Sequence, residues 1–364
     1  MNSDHTYMRI ALNIAQRGLG LVWPNPAVGC VIVKDYRIVG RGWTGKGGRP
    51  HAEIIALSRA SEMAIGATAF ISLEPCFLYQ KPDSCADAFI DAGIKRVVIA
   101  VKDPNPLVFG RGIERLQKAN IDVEVGCEEK IAKEINAGFF KKIIDNRPLI
   151  TLKIASSQDG KIATSSGESK WITESQSRLT GHRLRAQNDA ILIGVKTALI
   201  DDPELTCRLP GLEDCSPVRL ILDSNLHLPI TSKLVMTAKL HPTWLITRND
   251  NDEEYLSPYI TNGVTIIGMP LSEDGKIDLI ATFHELANRG LTRILVEGGS
   301  SLATSLMRLD LIDRIAWFQA PIFLGNDGVA AIKSLGIDDL EYAHKFRRIS
   351  VSKSGNDLFT YLTK

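Results

Sequence analysis

The chain has 364 residues, about twice the usual length of a single domain, with 44% hydrophobic and 23% charged residues. Its 43 lysines and arginines nearly balance its 42 aspartates and glutamates, and only 6% of its residues are aromatic. This composition gives no reason to expect a nucleic acid or an anionic membrane as a partner. A small phosphate ester remains a candidate ligand, because two or three arginines in a cleft do not change the total charge.

The start of the chain and its apolar runs predict the compartment. Residues 1–18 mix charges among the apolar positions, so we expect no secretory signal. The longest apolar runs, such as Val97–Val101 and Ala190–Val195, have the length of strands and are too short to span a bilayer. Without an export signal, a pair among the six cysteines is more typical of a metal site than of a disulfide. We therefore expect a cytoplasmic protein that does not enter a membrane.

Strands and helices alternate along the first 145 residues, which predicts a sheet covered by helices. The predicted strands are Ala27–Val33, Arg37–Gly42, Ala69–Leu73, Arg96–Ala100 and Ile121–Val125. The predicted helices are His51–Ala60, Cys85–Ala92 and Gly110–Ala119.

A second α/β alternation begins at Leu149, after a basic, helix-like stretch that ends before Pro148. Proline discourages a helix from continuing, so we expect two domains, 1–146 and 147–364. The clearest later strands are Ala190–Val195, Arg219–Leu222, Thr243–Ile246, Val264–Ile267, Arg293–Val296 and Arg314–Phe318.

One histidine, one glutamate and two cysteines of the first half form a pattern typical of zinc enzymes. His51 and Glu53 lie at the start of a predicted helix, Cys76 follows a strand, and Cys85 comes after eight more residues. One imidazole and two thiolates give Zn²⁺ three tetrahedral ligands and leave the fourth position to water, whose pKa the metal lowers. Glu53 is the candidate proton carrier between that water and a departing amine. The pattern resembles the zinc-deaminase signature, with eight residues instead of two between the cysteines.

Other interpretations of these residues remain. A His-Ala-Glu sequence also occurs at solvated helix starts, and two cysteines at this spacing could be small buried hydrophobic residues. A closed structural zinc site would need a fourth protein ligand, for which only Cys30 or Cys127 is available. The four residues together favour a catalytic zinc.

The second half contains candidate anion-binding residues. A predicted strand runs into Gly298 and Gly299 and then into a helix, whose N-terminus would suit a cofactor pyrophosphate. A plain strand-to-helix turn is the alternative, and the pattern is not the G-x-G-x-x-G of a Rossmann fold. Trp171 either stacks on a cofactor or is half-buried packing. Arg185 and Arg208 are candidates for a substrate phosphate, although solvated arginines are common.

Ordered motifs in both halves resemble those of the bifunctional riboflavin-biosynthesis deaminase–reductases. The matching motifs of the first half are NPAVG (25–29), GRPHAE (48–53), LEPC (73–76), CADA (85–88) and DPNP (103–106). Those of the second half are LKIA (152–155), DGKIA (159–163), GESKWIT (167–173), RLRA (183–186), DDPELT (201–206) and VEGG (296–299). Chance agreement of so many motifs in the same order is improbable.

The resemblance implies an α/β protein with two domains. The first would be a cytidine-deaminase-like, three-layer α/β/α pyrimidine deaminase with Zn²⁺, and the second a dihydrofolate-reductase-like α/β reductase that uses NADPH. The implied substrate is a phosphorylated pyrimidine, 2,5-diamino-6-ribosylamino-4(3H)-pyrimidinone 5′-phosphate. It is first deaminated, and its ribosyl group is then reduced to ribityl. The relatives also suggest a homodimer or a homotetramer.

The resemblance assigns roles by position. His51, Cys76 and Cys85 would bind zinc, and Glu53 would donate the proton. The implied substrate residues are Asn25 and Asn105 in the first half, and Ser169, Arg185, Leu205, Arg208 and Glu297 in the second. The implied cofactor residues are Ala155, Trp171, Thr197, Asp201, Gly299, Ser300, Ser301, Leu302, Ala303, Thr304 and Ser305. Lys153 would assist electrostatically near the sugar.

The chain departs from the family pattern at two places. Relatives usually carry a segment resembling S-H-x-G-R/K-T-P-P between the two zinc cysteines, whereas this chain has Phe77–Ser84, with Leu78 instead of histidine and a cation at Lys81. Thr44 replaces a histidine of many relatives. These changes motivate a second interpretation, a reductase with a weak or inactive deaminase domain. A third, an RNA- or DNA-modifying deaminase, would call for a basic face with interleaved aromatic residues, which the composition does not suggest.

Overall fold

A computed structural model describes residues 3–77 and 84–364. The chain divides into two compact units, Met1–Arg147 and Pro148–Lys364. Each unit has its own central sheet and its own hydrophobic core. No helix within the described ranges is long and apolar enough to cross a membrane.

The first unit is built on a five-stranded sheet in the order β2-β1-β3-β4-β5. Its strands are β1 (Gly29–Lys34), β2 (Arg37–Trp43), β3 (Thr68–Ile71), β4 (Arg96–Ile99) and β5 (Asp122–Val125). Its helices are α1 (Ser3–Ala15), α2 (Ala52–Ala60), α3 (Cys85–Asp91), α4 (Arg111–Lys118), α5 (Glu129–Ile135) and α6 (Ala137–Asp145). β1 is antiparallel to β2 and β3, whereas β3, β4 and β5 are parallel.

Helices cover both faces of this sheet. A Cβ at Gly29 would lie 2.0 Å from the Ala11 carbonyl oxygen, so α1 packs on the face to which Gly29 points. A Cβ at Gly42 would lie 2.4 Å from the Ala52 carbonyl oxygen of α2. Gly42 pairs with Cys30, the neighbour of Gly29, and successive residues of a strand point to opposite faces. The three-layer α/β/α arrangement expected from the resemblance is therefore confirmed.

The second unit is built on a nine-stranded sheet in the order β11-β10-β9-β8-β12-β6-β13-β16-β15. Its strands are β6 (Leu149–Ser156), β8 (Ala190–Gly194), β9 (Val218–Leu222), β10 (Thr243–Arg248), β11 (Thr265–Met269), β12 (Arg293–Val296), β13 (Arg314–Gln319), β15 (Arg347–Ser354) and β16 (Asp357–Thr363). β7 (Lys161–Ala163) and β14 (Val329–Ala330) form a separate antiparallel pair. The helices are α7 (Ser175–Ala186), α8 (Val195–Asp201), α9 (Lys233–Met236), α10 (Glu253–Thr261), α11 (Leu279–Asn288) and α12 (Ser300–Arg308).

Most of this sheet is parallel, and its far edge is an antiparallel hairpin. All neighbouring strands from β11 to β13 run in the same direction, β16 runs in the opposite direction, and β15 is antiparallel to β16. The carboxyl ends of β8, β12 and β6 therefore lie side by side at one edge of the sheet. In open α/β sheets, ligands bind at that edge. This placement brings the segments that follow β8 and β12 together.

A buried arginine organises the opposite end of the strands in the second unit. Arg219 of β9 is fully buried, and its guanidinium donates to the Thr243 and Thr237 hydroxyls and to the Leu234 and His241 carbonyl oxygens. Burial lowers the pKa of Arg219 to about 10. The group remains charged at neutral pH and ties the ends of β9 and β10 to the segment that contains α9.

Replacing Arg219 with lysine should destabilise the second unit. Lysine keeps the positive charge but cannot reach the same set of acceptors, so buried carbonyl oxygens would lose their donors. We expect Arg219→Lys to lower the free energy of unfolding of this unit by about 2–4 kcal/mol, measured by urea denaturation. Arg183→Lys, on the exposed side of α7, is the matched control. A midpoint equal to that of the control would contradict a structural role of Arg219.

Candidate functional site

Helix starts position three of the four residues expected at the zinc site. His51 is the N-cap residue of α2, and Glu53 lies in the first turn of that helix. Cys85 is the first residue of α3, after the N-cap Ser84, whose hydroxyl accepts a hydrogen bond from the Asp87 N–H. Cys76 lies in the loop that follows β3, and its carbonyl oxygen accepts from the N–H of the second residue of α3.

The donor atoms of His51, Cys76 and Cys85 all lie within 4.8 Å of one another. The Nδ1 atom of His51 is 3.1 Å from the Cys85 sulfur and 3.6 Å from the Cys76 sulfur. Tetrahedral zinc with ordinary Zn–N and Zn–S bonds would separate such a nitrogen and sulfur by about 3.6 Å. The three side chains are therefore already close to the arrangement that zinc requires.

The contact between the two thiol groups shifts their pKa values in opposite directions. The Cys85 thiol hydrogen-bonds to Cys76 and, against the effect of burial, lowers the pKa of Cys76 to about 4, with a further contribution from His51. The same contact, together with burial, raises the pKa of Cys85. The hydrogen bond with Cys76 also raises the pKa of His51. A thiolate is thus already favoured at Cys76, which is the ligand form that a soft cation binds.

Glu53 is a buried carboxyl group beside these ligands. Only 4% of its surface is exposed. Burial raises the pKa of Glu53, and the negative charge of Cys76 raises it further. A carboxyl group whose pKa is shifted toward neutrality suits proton transfer at physiological pH. The site thus combines a set of metal ligands with an adjacent proton carrier, and its residues fit a zinc ion.

The loop that contains Asn25 packs against the segment that precedes His51. A Cβ at Gly48 would lie 2.0 Å from the Asn25 side-chain nitrogen, and Gly48 has a φ of +90°, which favours glycine. The Asn25 amide donates to the Gly47 carbonyl oxygen at 3.4 Å. Asn25 is therefore held against the segment that leads into the zinc ligand.

Thr44, one of the two departures from the family pattern that the sequence analysis named, has a structural contact. It is buried, and its hydroxyl accepts from the Val28 N–H at 2.9 Å and donates to the Pro26 carbonyl oxygen at 3.2 Å. The hydroxyl therefore supports the turn that follows Asn25. Of the segment between the cysteines, residues 78–83, including Leu78 and Lys81, lie outside the described residues.

Glu74 is a residue of this site that the sequence did not single out. It lies two positions before Cys76 and is only 3% exposed. Its carboxylate accepts hydrogen bonds from backbone N–H groups of the loop that contains Asn105. The partners lie 29–39 positions further along the chain, so no local spacing could have revealed them.

In the second unit, the structure brings Glu297 together with two basic residues. Arg185 forms a two-pronged pair with the Glu297 carboxylate, with N···O distances of 2.7 and 2.9 Å. Lys153 of β6 lies 3.8 Å from the same carboxylate. Although burial opposes ionisation, the charges of Arg185 and Lys153 lower the pKa of Glu297 to about 2. Glu297 is therefore a permanent anion that orients both cations at the carboxyl ends of β12 and β6.

The turn after β12 forms a cradle at the N-terminus of α12. The Gly299 N–H donates to the Thr197 hydroxyl at 3.2 Å, which joins the ends of β12 and β8. Ser300, the first residue of α12, is 6% exposed, and its hydroxyl has no hydrogen-bond partner within the described residues. The first N–H groups of a helix also lack intrahelical acceptors. An unsatisfied hydroxyl and free N–H groups together suit a phosphate group of a cofactor.

Lys333 is a second residue that the sequence did not indicate. Its ammonium donates to the Ser301 hydroxyl at 2.9 Å, and its N–H donates to the Thr304 hydroxyl at 2.8 Å. The Arg308 side chain binds the carbonyl oxygen of the next residue, Ser334. A cation at a helix N-terminus meets the unfavourable end of the helix dipole, and an anion bound between them would offset this. The 32 positions between Lys333 and Ser301 hide this pairing from a local motif.

The remaining predicted residues of the second unit lie on nearby loops. The Trp171 side chain is 70% exposed and stacks under Arg178, whose guanidinium carbon is 4.6 Å from the ring centroid. Lys170 lies 3.4 Å from the Asp201 carboxylate, which connects the segment of Ser169 and Trp171 to the end of α8. Exposed aromatic surface of this kind is available for stacking.

Two other predicted substrate residues lie in one loop. Leu205 is buried, with a φ of +56°, and Arg208 pairs with the Glu204 carboxylate at 2.8 Å. The backbone oxygen of Thr206 accepts from Arg185 at 3.0 Å, which ties this loop to the Glu297 cluster. Ala155 lies on β6, two residues after Lys153.

Comparison with known families supports the same division of the chain. Residues 1–101 match the cytidine and deoxycytidylate deaminase zinc-binding region. Residues 148–360 match the RibD C-terminal domain. Zinc binding is thus a property of the family to which the first unit is similar.

Curated relatives are similar over nearly the whole chain. The riboflavin biosynthesis protein RibD of Aquifex aeolicus is 41% identical, over 99% of this chain and 98% of its own length. The protein of the same name from Escherichia coli is 38% identical, over 99% of both.

Solved structures agree with these relatives. Acinetobacter baumannii RibD matches with a TM-score of 0.89 and 35% identity, covering 99% of this chain and 98% of that one. The diaminohydroxyphosphoribosylaminopyrimidine deaminase/5-amino-6-(5-phosphoribosylamino)uracil reductase of Thermotoga maritima matches with a TM-score of 0.86 and 33% identity, with the same coverage.

The three ligands predict a defined metal content. We expect about one zinc per chain by elemental mass spectrometry, and a loss of most of it in Cys85→Ala or His51→Ala, because two remaining protein ligands hold zinc poorly. Cys215→Ser, in the second unit, is the control and should retain the metal. Equal zinc in Cys85→Ala and wild type would rule out this site as the zinc centre.

Proposed function

Because the chain belongs to the RibD family of bifunctional deaminase–reductases of riboflavin biosynthesis, we propose that it uses the family's phosphorylated pyrimidine at both of its sites. The first step would be hydrolytic deamination of 2,5-diamino-6-ribosylamino-4(3H)-pyrimidinone 5′-phosphate. The second would be reduction of the ribosyl group of 5-amino-6-(5-phosphoribosylamino)uracil with NADPH. The name of the Thermotoga maritima relative contains both activities. Unit Met1–Arg147 would carry the first and unit Pro148–Lys364 the second.

The observation that carries the deaminase assignment is the convergence of His51, Cys76 and Cys85 beside the buried Glu53. A bound zinc ion would supply an activated water at neutral pH. Glu53 would take the proton from that water and deliver it to the departing amine, which its raised pKa supports. Burial keeps bulk water away from this carboxyl group. Asn25 and Asn105 would hold the pyrimidine.

For the reductase step, the charged cluster and the cradle of the second unit have separate tasks. A bound nicotinamide cofactor would supply the hydride. The N-cap residue Gly299 and the first two turns of α12, to Ser305, would hold its phosphates, with Thr197, Ala155, Asp201 and Trp171 as further contacts. Glu297 would hold Lys153 and Arg185 toward the phosphorylated sugar, with Ser169, Leu205 and Arg208 completing the substrate site. The unsatisfied Ser300 hydroxyl supports this arrangement.

We propose NADPH rather than NADH as the cofactor because of Lys333. Its ammonium beside Ser301 adds a positive charge to the N-terminus of α12. The 2′-phosphate of NADPH adds negative charge to the dinucleotide, which a nearby ammonium would favour.

We also propose that the protein is cytoplasmic and forms a homo-oligomer. The cysteines of the described residues form no disulfide with one another, as we expect of a cytoplasmic protein. A homodimer or homotetramer is expected from the relatives.

A second candidate function is that of a reductase with a silent zinc domain. Its motivation is the changed sequence between Cys76 and Cys85, where Leu78 stands in place of histidine. The ligand geometry and the buried Glu53 favour the bifunctional alternative, since a silent domain has no need of a proton carrier.

The two alternatives differ in a two-step assay. Purified, zinc-loaded protein given the diaminopyrimidine ribosyl phosphate should release ammonia without NADPH and oxidise NADPH once it is added. Glu53→Gln should reduce ammonia release at least about 100-fold, because the amide cannot carry the proton. The same variant should still oxidise NADPH when the deaminated substrate is supplied.

The control for this assay is Glu62→Gln, an exposed carboxylate just beyond α2, which should behave as wild type. No ammonia from wild type, with NADPH oxidation on the deaminated substrate, would establish the silent-domain alternative. Equal ammonia release by Glu53→Gln and wild type would contradict the role of Glu53.

Binding of the cofactor should depend on Lys333. We expect Lys333→Gln to weaken NADP⁺ binding about 10-fold by isothermal titration calorimetry at low salt, and Lys333→Arg to keep most of the affinity. Lys353→Gln, which removes an exposed lysine of β15, is the control. The same titration with NAD⁺ shows which phosphate Lys333 contacts. Weaker binding of NADP⁺ alone assigns Lys333 to the 2′-phosphate, whereas equally weakened binding of NADP⁺ and NAD⁺ assigns it to the pyrophosphate. Unchanged binding of both would contradict a phosphate contact.

A further inference from the structure

The carboxylate of Glu74 is buried and binds only backbone. Its Oε2 atom accepts from the N–H groups of Asp103 and Gly110 at 3.3 and 3.0 Å. Its Oε1 atom accepts from Gly112 and Ile113 at 3.1 and 3.4 Å. In the part of the chain that the structure describes, no lysine, arginine or histidine forms an ion pair with it. The charge of Glu74 is therefore stabilised by four N–H dipoles.

These four N–H groups come from the two ends of one loop, residues 103–113. Three of them belong to the start of α4, whose N-cap residue Gly110 provides no side-chain cap. Glu74 thus caps α4 from a distant position, and its negative charge is favourable at a helix N-terminus. The fourth, on Asp103, lies where the loop begins. A single carboxylate therefore closes the loop at both ends.

The loop holds Asn105 in a fixed orientation. The Asn105 N–H donates to the Asp103 carboxylate at 2.8 Å, and its side-chain oxygen accepts from the Leu107 N–H at 3.0 Å. The side-chain oxygen is thus used within the loop. The Asn105 NH₂ group makes no hydrogen bond to other described residues and can donate to an acceptor of a bound pyrimidine.

Glu74 also lies on the segment that leads to the zinc ligand. Its own N–H donates to the Val101 carbonyl oxygen at 2.9 Å, which fixes its backbone to the segment just after β4. Two residues later, Cys76 supplies its sulfur to the ligand set. One short segment therefore connects a metal ligand with the loop of a candidate substrate residue.

We propose that Glu74 is the positioning residue of the deaminase site, which fixes the Asn105 amide relative to the zinc ligands through the loop 103–113. This inference rests on the proposed deamination. A glutamine at this position would offer one acceptor oxygen, and its NH₂ group would face two N–H donors. Whichever way the amide lies, two of the four N–H contacts would be lost, so the loop that carries Asn105 would be held less firmly.

The test compares four proteins: wild type, Glu74→Gln, Asn105→Ala and the double variant. We expect Glu74→Gln to raise the KM for the diaminopyrimidine ribosyl phosphate about 10-fold, with kcat changed less than about threefold, because Asn105 binds the ring before and during the reaction. Zinc content and NADPH oxidation with the deaminated substrate should equal those of wild type. The KM of the double variant should be no higher than that of Asn105→Ala, since both changes remove the same contact.

Controls separate positioning from a general loss of structure. Glu114→Gln removes an exposed carboxylate of α4 and should leave KM unchanged. If Glu74→Gln does not fold, Glu74→Asp, which keeps the charge but withdraws it by one methylene, should show the same rise in KM. A wild-type KM in Glu74→Gln, or losses that add in the double variant, would overturn the inference.

Calorimetric binding of the diaminopyrimidine phosphate decides the same point when Glu53→Gln is present in every protein, because this change suppresses turnover. If wild type releases no ammonia, the proposed deamination fails, and weaker binding after Glu74→Gln in the Glu53→Gln background still supports positioning. If Glu74→Gln leaves binding in that background unchanged, the positioning role fails alone.

Discussion

The zinc site depends on how closely α2 lies on the sheet. A Cβ at Gly40 would be 2.2 Å from the Ala56 carbonyl oxygen, and Gly42 meets the same helix one turn earlier. A larger residue at either position would push α2 away from β2. His51 and Glu53 stand at the start of this helix, and tetrahedral ligation tolerates only a few tenths of an ångström in its bonds. The geometry of the ligands is thus set by backbone contact several residues away.

The two sites use buried carboxyl groups in opposite ways. At Glu53, burial and a neighbouring negative sulfur raise the pKa, so the group can hold and release a proton. At Glu297, two nearby cations overcome burial and keep the group ionised. The first carboxyl group is therefore suited to proton transfer and the second to orientation of charge. Environment, and not residue type, assigns these roles.

The sequence was sufficient for the parts of the molecule that depend on local pattern. The strands and helices predicted for both halves are present, and the three residues expected to bind zinc lie close together. β1 begins at Gly29 and not at Ala27, because side chains of Asn136 and Thr44 take the N–H groups of residues 27 and 28. The contact between Asn136 and Ala27 joins residues 109 positions apart in the chain. A periodic sequence pattern cannot reveal such a contact.

Long-range pairing also explains what the sequence left out of the second unit. Arg185 and Glu297, each predicted to meet the substrate, are 112 positions apart and bind each other. Arg219 is among the most buried side chains, although arginine is normally a surface residue. Lys333 and the β15–β16 hairpin lacked any apolar run or motif that would indicate them. In each case, the role of the residue depends on a contact with a residue distant in the chain, and its sequence neighbours do not indicate it.

The hairpin has a consequence for how the protein behaves at high concentration. β15 is the last strand of a nine-stranded sheet, and nearly all of its side chains are exposed. Unpaired strand edges invite a second copy to add on and begin a fibrous aggregate. If two copies of β15 met antiparallel along their whole length, Arg348 of each would face Lys353 of the other, and like charges directly opposite one another repel. Arg348 and Lys353 therefore disfavour this full-length antiparallel pairing of two open edges.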